Sequence, residues 1–343
     1  MKKLFFCLQG IVCIGFLYLS TASIAMTEYT IPFSQREEVH AFIRMMVNDY
    51  QFDEKNLDAI FNQVKIQPDI LATMEKPAET WTWGKYQQFF ITPARIQGGV
   101  DFWNQHAKTL AAIEKKDGVP ANVIVAIIGV ETFYGKVQGN YRVLDALTTL
   151  AFEYPKRQAF FQNELKNYLL LARENQLDVY NILGSYAGAI GPGQFMPSAY
   201  RTYAIDYNKN GRADLRNDTN DVLASVSNYL AKHGWCPEEV IATKAHVKGL
   251  SYRKIKANVL MPTYTLAQLK KNGISPHATS KYHYTPSTKS NFMQLEDDEN
   301  HTEYWLGFHN FYVLSQYNPR INYTMAVYQL AEAIKQARTL NKH

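Results

Sequence analysis

The spacing of apolar residues predicts a mostly helical chain. Apolar side chains recur three and four positions apart, as on one face of an α-helix, in several segments that share this pattern: 39–46, 57–64, 120–132, 158–174, 221–233 and 323–334. A capping box formed by Ser34 and Glu37 is expected to begin the first of these helices. The pattern therefore predicts a mainly α fold.

Two segments depart from the helical pattern. The stretch 184–197 is rich in Gly and Pro and is predicted to be a loop. The stretch 240–295 has many Lys and Arg residues and no Asp or Glu, and alternating residues over 282–285 predict some β structure in it. Its basic residues fit either a solvated surface or a face directed toward an anionic polymer.

The N-terminus has the features of a secretory signal peptide. Lys2 and Lys3 precede an apolar run over 4–19, and small residues at 23–25 follow it. An uncleaved membrane anchor is the alternative, although the run is short for a bilayer core of about 30 Å. None of the N-terminal cysteines has the context of a lipid-attachment site. We therefore expect export to the periplasm without a lipoprotein anchor.

Composition excludes several classes of protein. The 343 residues include 36 Lys and Arg against 31 Asp and Glu, and 46% are hydrophobic, as in folded globular proteins. The small net charge of +5 is unlike that of a dedicated nucleic-acid binder. Only Cys236 would remain after cleavage of the signal peptide, so no intramolecular disulfide is expected.

Common catalytic motifs are absent from the sequence. There is no H-E-x-x-H motif, no Cys and His spacing typical of zinc, no P-loop and no dinucleotide fingerprint. The segment Gly184–Gly188 reads G-S-x-x-G, which is one position different from a nucleophile elbow. Metalloprotease, serine-esterase and nucleotide chemistry therefore lack their usual support.

Glu131 lies in a predicted helix that is apolar on all sides. Three residues that share its face are Ile124, Ile127 and Ile128. Burial removes the hydration of a carboxylate and raises its pKa. A Glu that stays protonated near neutral pH can act as a general acid on a glycosidic oxygen. Alternatively, Glu131 lies at an exposed helix end and pairs with Arg142 or Lys136.

Several longer motifs resemble those of the lytic murein transglycosylase B family. They are IIGVETFYG at 127–135, LDALTTL at 144–150, GSYAGAIGPGQFMPS at 184–198, and NFYVL at 310–314 followed by Tyr317-Asn318. This resemblance covers nearly the whole chain after the signal peptide. It implies a lysozyme-like helical core with an N-terminal helical domain and a small, partly β insertion, which is a mainly α (α+β) fold.

The resemblance also implies a division into domains. The predicted parts are a signal peptide at 1–25, an N-terminal helical domain at 26–112, a lysozyme-like catalytic core at 113–239, a small basic insertion at 240–300 and a C-terminal segment completing the core at 301–343.

The implied activity is cleavage of the β-1,4 bond between N-acetylmuramic acid and N-acetylglucosamine in peptidoglycan. Glu131 matches the family's single catalytic acid and base. It would protonate the leaving oxygen, and its carboxylate would then accept a proton from the muramoyl 6-hydroxyl, which attacks C1 of the same sugar. The product is a 1,6-anhydromuramoyl end, and no water is consumed. Most glycosidases use two carboxylates instead.

The resemblance assigns substrate contacts to residues in the Gly-rich loop and in several helices: Arg157, Ser185, Gln194, Tyr229, Tyr317, Asn318 and Tyr323. Alternatively, the two loop residues satisfy loop backbone, the arginine forms a surface salt bridge and the tyrosines pack in the core. The family commonly has a small residue soon after the Tyr-Asn pair, whereas Pro319 and Arg320 follow it here.

A second set of residues is typical of a calcium loop. The segment 206–211 fits D-x-[DN]-x-[DN]-G, the start of an EF-hand loop, but position 12 is Asn217 rather than a bidentate Glu, which excludes a standard EF-hand. The family has a longer loop closed by a later Asp, for which Asp221 and Asp218 compete. The predicted calcium ligands are Asp206, Asn208, Asn210, Arg212 and Asp221. A metal-free turn is the alternative, and the chemistry itself requires no cofactor.

Two other functions remain open at this point. A muramidase would use water and leave a reducing end, and a scaffold on the same fold would bind peptidoglycan without cleaving it. We expect a monomer whose partner is the peptidoglycan glycan strand, with cell-wall synthesis proteins as candidate partners and no nucleic acid.

Overall fold

Helices make up most of the computed structural model, which describes residues 32–75, 81–277, 284–297, 299 and 301–340. The α-helices are α1 (Glu37–Tyr50), α2 (Glu54–Phe61), α3 (Pro68–Met74), α4 (Trp83–Phe90), α5 (Pro93–Gln105), α6 (Ala107–Asp117), α7 (Ala121–Thr132), α8 (Val143–Glu153), α9 (Gln158–Glu174), α10 (Pro197–Tyr203), α11 (Thr219–Lys232), α12 (Leu266–Lys271), α13 (His309–Ser315) and α14 (Ile321–Leu340). The predicted mainly α fold is confirmed. The predicted signal peptide lies outside the described residues. None of the described helices is long and apolar enough to span a bilayer.

The strands are short and antiparallel. They are β1 (Tyr141–Arg142), β2 (Leu183–Gly184), β3 (Ala242–Val247), β4 (Tyr264–Thr265), β5 (Ile274–Pro276), β6 (Lys289–Ser290), β7 (Met293–Glu296) and β8 (Thr302–Gly307). The largest sheet has the order β5-β3-β8-β7, with Ala242 opposite Gly307 and Met293 opposite Trp305. Strands therefore occur in the basic segment, as expected. The predicted alternation over 282–285 lies partly outside the described residues, and Tyr284 and Thr285 are not in a strand.

The predicted capping box at the first helix is wrong. Arg36 is the N-cap of α1 and makes no capping hydrogen bond through its side chain. Ser34 lies in a 3-10 turn before the cap, which is too early in the chain to reach the first free amides of α1. Other helix starts do have capping side chains, because Asp53 accepts from Asn56 N at 2.8 Å and Thr92 accepts from Arg95 N at 3.2 Å.

The helix α7 lies at the centre of the helical core. Every residue from Ala121 to Val130 is buried, and the helix packs against α5, α6, α11 and α14. Local sequence determines where α7 begins. Gly118 adopts a left-handed conformation that ends α6, and Pro120 immediately precedes α7. The apolar helix predicted after Pro120 is thus confirmed.

The large sheet is joined to the helical core on one side. Met293, Leu295 and Trp305 belong to the main hydrophobic core, and the hydroxyl of Tyr328 in α14 donates to Ala242 O at 3.0 Å. A smaller apolar cluster lies within the sheet region and includes Phe292 and other side chains: Ala245, Leu266, Leu269, Ile274, Leu306 and Phe308. The division of the chain into the predicted domains stays a prediction.

Candidate active site

Glu131 lies at the carboxyl end of the buried helix α7. The helix stops there because Phe133, Tyr134 and Gly135 all have positive φ, at 51°, 62° and 84°. Phe133 N donates to Gly129 O at 3.2 Å and thereby closes the last turn. Glu131 is partly exposed, whereas its helix neighbours are buried. The apolar helix thus brings a single carboxyl group to the edge of the core.

Arg95 and Tyr134 hold the end of this helix in place. Arg95 Nε donates to Gly129 O at 3.0 Å, and Tyr134 OH donates to Arg95 O at 2.6 Å. A cation at the carboxyl end of a helix also interacts favourably with the helix dipole. A side chain at Gly129 would place its Cβ 2.7 Å from the Tyr134 hydroxyl oxygen. The sequence analysis assigned no role to either residue, although Tyr134 lies in the motif at 127–135.

Thr132 connects α7 to the Gly-rich loop. Its hydroxyl donates to Pro192 O at 2.7 Å and accepts from Gly135 N at 2.9 Å. The loop itself passes close to neighbouring backbone, because a Cβ at Gly191 would lie 2.0 Å from Leu215 O. Gly191 also has φ of +73°, which favours glycine. The loop and the helix that carries Glu131 therefore form one connected unit.

Two of the predicted tyrosines, both from the C-terminal part of the chain, lie near Glu131. Tyr323 in α14 donates its hydroxyl to Glu131 Oε1 at 2.6 Å. Tyr317 donates to Gly193 O in the Gly-rich loop. Burial, and then the negative charge of Glu131, raise the pKa of both tyrosines well above its usual value. Both hydroxyls therefore remain protonated donors at neutral pH.

The surroundings of Glu131 favour its acid form. Burial raises the pKa of its carboxyl from 4.5 to about 7, and the hydrogen bond from Tyr323 acts in the opposite direction. The ion pairs considered as an alternative do not form. Arg142 instead lies 3.6 Å from Asp145, and the Lys136 ammonium lies 5.0 Å from the centre of the Phe133 ring. Glu131 can thus be protonated or ionised near pH 7.

Ser185 and Gln194 both contact the backbone of their own loop. Ser185 Oγ accepts from Ala189 N at 3.0 Å and from Ala187 N at 3.3 Å. Gln194 Nε2 donates to Gly191 O at 2.9 Å. These bonds leave the hydroxyl hydrogen of Ser185 and the Oε1 atom of Gln194 without a hydrogen-bond partner among the described residues. Both groups therefore keep hydrogen-bonding capacity for a ligand.

Tyr229 and Asn318 lie around the same loop. Tyr229 donates to Gln316 O at 2.6 Å, and its ring centre lies 5.0 Å from that of Tyr317 and 6.2 Å from that of Phe195. Asn318 is partly buried beside Tyr317, and its side-chain amide has no hydrogen-bond partner within the described ranges. The structure thus groups these residues with Tyr317 and the loop.

Arg157 is placed differently from the other predicted residues. It is exposed in the 3-10 turn Pro155–Arg157, and its guanidinium lies 4.2 Å from the centre of the Phe160 ring. Over the described part of the chain, no recorded hydrogen bond or ion pair joins it to Glu131 or to the Gly-rich loop. A substrate role for Arg157 therefore requires the substrate to extend along the surface to this turn.

The segment 206–221 forms a hydrogen-bonded loop. Asp206 accepts from Gly211 N at 2.7 Å, and Asp221 accepts from Tyr207 N and Asp214 N, both at 2.8 Å. Asp218 instead caps α11. Burial, and to a lesser degree the charges of Asp218 and Asp206, raise the pKa of Asp221. The described residues contain no group of three or more His, Cys, Asp or Glu side chains placed to hold a metal ion.

Comparison with known proteins places this chain in a family. The family model described as "Transglycosylase SLT domain" matches residues 34–332. Membrane-bound lytic murein transglycosylase B of Escherichia coli (strain K12) is 38% identical over 318 residues, which cover 89% of this chain and 85% of that protein.

Solved structures agree with this match. The soluble lytic transglycosylase SltB1 from Pseudomonas aeruginosa is 42% identical, with a TM-score of 0.82 over 88% of this chain and 99% of that chain. Escherichia coli Slt35 in complex with calcium is 38% identical, with a TM-score of 0.81 over 90% and 95%. The chain belongs to the transglycosylase SLT domain family and is a lytic murein transglycosylase with a lysozyme-like fold that acts on peptidoglycan.

Proposed function

We propose that Glu131 is the catalytic acid and base with which this enzyme cleaves the β-1,4 bond between N-acetylmuramic acid and N-acetylglucosamine. The observation that carries the proposal is a single carboxyl group with a pKa of about 7 at the end of a buried helix. A general acid works best when its pKa lies near the working pH. Both the acid and the carboxylate form of Glu131 are then accessible near neutral pH.

The proposed reaction uses Glu131 twice, first as an acid and then as a base. Protonated Glu131 gives its proton to the glycosidic oxygen, and the bond from that oxygen to C1 of the muramoyl sugar breaks. The Glu131 carboxylate then accepts the proton of the muramoyl 6-hydroxyl, whose oxygen bonds to C1. The product is a 1,6-anhydromuramoyl end, and Glu131 is again protonated. Tyr323 supports this cycle because its hydroxyl stabilises the carboxylate formed between the two steps.

The residues around Glu131 are proposed to hold the sugar. Ser185 and Gln194 retain hydrogen-bonding capacity within the loop that Thr132 joins to α7, so we assign them to the sugar's polar groups. Tyr229, Tyr317 and Asn318 are assigned to the same surface, and Arg157 to acidic or acetamido oxygens farther out. A sugar held in this geometry gains from intramolecular attack, because its two reacting groups need not meet by diffusion.

The mass of the product tests this reaction. We expect digestion of purified sacculi to release muropeptides with 1,6-anhydro ends, each lighter by one water than the corresponding muramidase product. Products that carry the added water would support the muramidase alternative instead. Binding to sacculi with no release of muropeptides would support a scaffold.

Replacing Tyr323 with Phe is expected to shift the pH dependence of activity. The hydrogen bond from Tyr323 lowers the pKa of Glu131, so its loss is expected to raise that pKa further. The acid form then persists to higher pH, so the alkaline limb of the plot of kcat/KM against pH should shift to higher pH. The matched control is Tyr328→Phe, which removes a tyrosine hydroxyl from the same helix. This hydroxyl donates to Ala242 O and not to Glu131, so the limb should not shift. An unmoved limb in Tyr323→Phe would contradict the assigned role.

We also propose that the 206–221 loop binds calcium as a structural ion. The donors are carboxylate and amide oxygens of Asp206, Asn208, Asn210 and Asp221 with the backbone carbonyl of Arg212, which suit a hard cation. Carboxylate oxygens that already accept a backbone amide have a second lone pair for a metal. Burial, and to a lesser degree the charges of Asp218 and Asp206, raise the pKa of Asp221, and a bound cation would neutralise these charges. Slt35, a relative with the same fold, was solved in complex with calcium.

Calcium is expected to raise the unfolding temperature. An ion that binds only the folded chain stabilises it by about 2.7 kcal/mol at a concentration of 100 times its Kd. Asp221→Asn should abolish this response. Asp218→Asn should lower the unfolding temperature measured without calcium, because Asp218 caps α11. It should still respond to calcium. An unfolding temperature that is the same in calcium and in chelator would refute the proposal.

We further propose that the enzyme acts in the periplasm after export by the segment 1–25, as a monomer with glycan strands as its substrate. The sequence pattern of that segment supports export, and the periplasm is the compartment that contains the peptidoglycan substrate.

A further inference from the structure

The backbone turns sharply just after Glu131. Phe133 and Tyr134 are consecutive residues with aromatic side chains, yet their φ angles are +51° and +62°. This left-handed region is unfavourable for bulky L residues. Such a conformation costs free energy and persists only where the surrounding structure holds it. The turn at Phe133 and Tyr134 therefore depends on contacts from other parts of the fold.

Arg95 of α5 supplies one of these contacts. Its side chain is largely buried, and its Nε donates to Gly129 O at 3.0 Å while its Nη1 donates to Phe89 O at 2.6 Å. Gly129 O also accepts from Phe133 N at 3.2 Å, so the guanidinium and the first strained residue share one carbonyl oxygen. The guanidinium carbon lies 5.0 Å from the centre of the Phe133 ring and 5.1 Å from that of Phe90. Arg95 thus joins the ends of α4 and α7 and covers the turn.

Tyr134 supports the same turn in the opposite direction. Its hydroxyl donates to Arg95 O at 2.6 Å, and its ring centre lies 5.5 Å from that of Phe102 in α5. Burial raises the pKa of this hydroxyl above its usual value, so it remains a donor at neutral pH. The side chain of Arg95 therefore binds the end of α7, and the turn after α7 binds the backbone of Arg95.

These contacts fix the backbone on both sides of Glu131. Gly129 precedes it by two positions and Phe133 follows it by two, and both contact Arg95. A general acid must lie within hydrogen-bond distance of the oxygen that it protonates. A displacement of about 1 Å can reduce the rate about 100-fold. Contacts that fix the end of α7 therefore affect the reaction, although the guanidinium donates to backbone oxygens and not to the Glu131 carboxyl.

We propose that Arg95 is a positioning residue for the reaction, because it holds the strained turn at Phe133 and Tyr134 and thereby fixes the carboxyl group of Glu131 against the bound sugar. This inference rests on the proposed function, since it assumes that Glu131 transfers the proton. Without Arg95 the turn relaxes, the end of α7 loosens and water reaches the Glu131 carboxyl.

Arg95→Lys tests the inference, because lysine keeps the positive charge but lacks the Nε donor and the planar guanidinium. We expect kcat on soluble glycan fragments to fall about tenfold or more. Hydration should also lower the pKa of Glu131 from about 7 toward 4.5. The tyrosines that interact with this carboxyl, Tyr317 and Tyr323, are unchanged. The alkaline limb of kcat/KM against pH should therefore shift to lower pH, opposite to the shift expected for Tyr323→Phe.

Tyr134→Phe removes the other support and leaves the Arg95 side chain in place. This variant loses only the hydrogen bond to Arg95 O, so kcat should fall less and the limb should shift in the same direction by a smaller amount. Because both residues support one turn, the combined variant should lose less activity than the product of the two separate losses.

Arg173→Lys is the matched control. Arg173 Nη1 donates to the O atom of Tyr50, the last residue of α1, at 2.7 Å, and its guanidinium lies 4.0 Å from the centre of the Phe52 ring. The intervening Gln51 is left-handed, with φ of 52°. Arg173 thus supports a similar helix end that carries no proposed catalytic group. Its substitution should lower the unfolding temperature and leave kcat and the alkaline limb unchanged.

An alkaline limb that keeps its position in both Arg95→Lys and Tyr134→Phe would overturn the inference. Equal losses of kcat in Arg95→Lys and Arg173→Lys would overturn it as well. Glu131→Gln separates the inference from the proposed function. If Glu131→Gln abolishes muropeptide release while Arg95→Lys behaves like the natural protein, only the positioning role is wrong. If Glu131→Gln retains full release, the proposed function itself is wrong.

Discussion

Glu131→Gln is expected to reduce release of anhydromuropeptides by about 1,000-fold or more, because general acid and base catalysis each contribute factors of this order. Gln can still accept the hydrogen bond from Tyr323, but it can neither give a proton to the glycosidic oxygen nor take one from the 6-hydroxyl. Sacculus binding should persist. The measurement is the rate of muropeptide release at pH 7 alongside a pull-down with sacculi. Unchanged release would remove Glu131 from its proposed role.

The same substitution should stabilise the fold at high pH. The folded carboxyl binds its proton more tightly than the unfolded one, with a pKa of about 7 against 4.5. Its contribution to stability is full below pH 4.5 and is lost as the pH rises through 7, a difference of about 3 kcal/mol. Because Gln does not ionise, Glu131→Gln should be more stable than the natural protein at pH 8, and this advantage should vanish near pH 4.5.

Glu164 provides a matched control for both effects. It is a second glutamate at the core, 2% exposed, and its two oxygens accept hydrogen bonds from Ser198 at 2.6 Å and 2.9 Å. Glu164→Gln replaces one of these acceptors with a donor and should lower stability. The folded fraction should keep its activity, because Glu164 lies outside the proposed site. Chemical denaturation at pH 5 and pH 8 measures both effects. Glu131→Gln should increase the free energy of unfolding at pH 8, whereas Glu164→Gln should decrease it.

Gly191→Ala is expected to disrupt the Gly-rich loop and to destabilise the protein by more than about 3 kcal/mol. The φ of +73° alone disfavours an L side chain by roughly 1–2 kcal/mol. The added Cβ would also lie 2.0 Å from Leu215 O, a backbone atom that cannot rotate away. Movement of the loop would pull on Pro192, which Thr132 joins to the helix that carries Glu131. Activity of the remaining folded protein should therefore fall as well.

Gly211→Ala separates steric overlap from backbone strain. Gly211 has φ of +99° but no atom within 4 Å of the added Cβ. In the presence of chelator, this variant should show only the smaller loss of about 1–2 kcal/mol. Thermal unfolding of the two variants makes the comparison. Similar losses in both would show that the approach of Gly191 to Leu215 does not determine the loop conformation.

Much of the fold could be predicted because local patterns specify helices. The segments 158–174 and 120–132 follow apolar spacing and bounding Pro and Gly residues, and the structure has α9 and α7 there. The capping box at Ser34 failed because Ser34 itself lies in a 3-10 turn before α1, and local spacing does not predict such a turn. The candidate site was identified partly through Glu131, since the apolar character of α7 already implies a raised pKa.

Other site features could not be derived from local sequence. The support from Arg95 and Tyr134, and the bond from Thr132 to Pro192, join residues that are far apart in the chain. No periodicity reports such contacts, because they depend on how finished helices pack. Arg157 shows the opposite case, since its motif grouped it with the site but the structure leaves it on an exposed turn.

The sequence by itself determined that a carboxyl group would stand at the end of a helix too apolar to hydrate it. Only the tertiary structure decided which groups meet that carboxyl. Tyr323 lies 192 positions away along the chain and reaches Glu131 because α14 packs on α7. Lys256 and Arg320 likewise line one cleft only because the sheet region packs beside α14. Burial follows from local composition, whereas the direction of a hydrogen bond or the charge of a groove follows from the packing of distant segments.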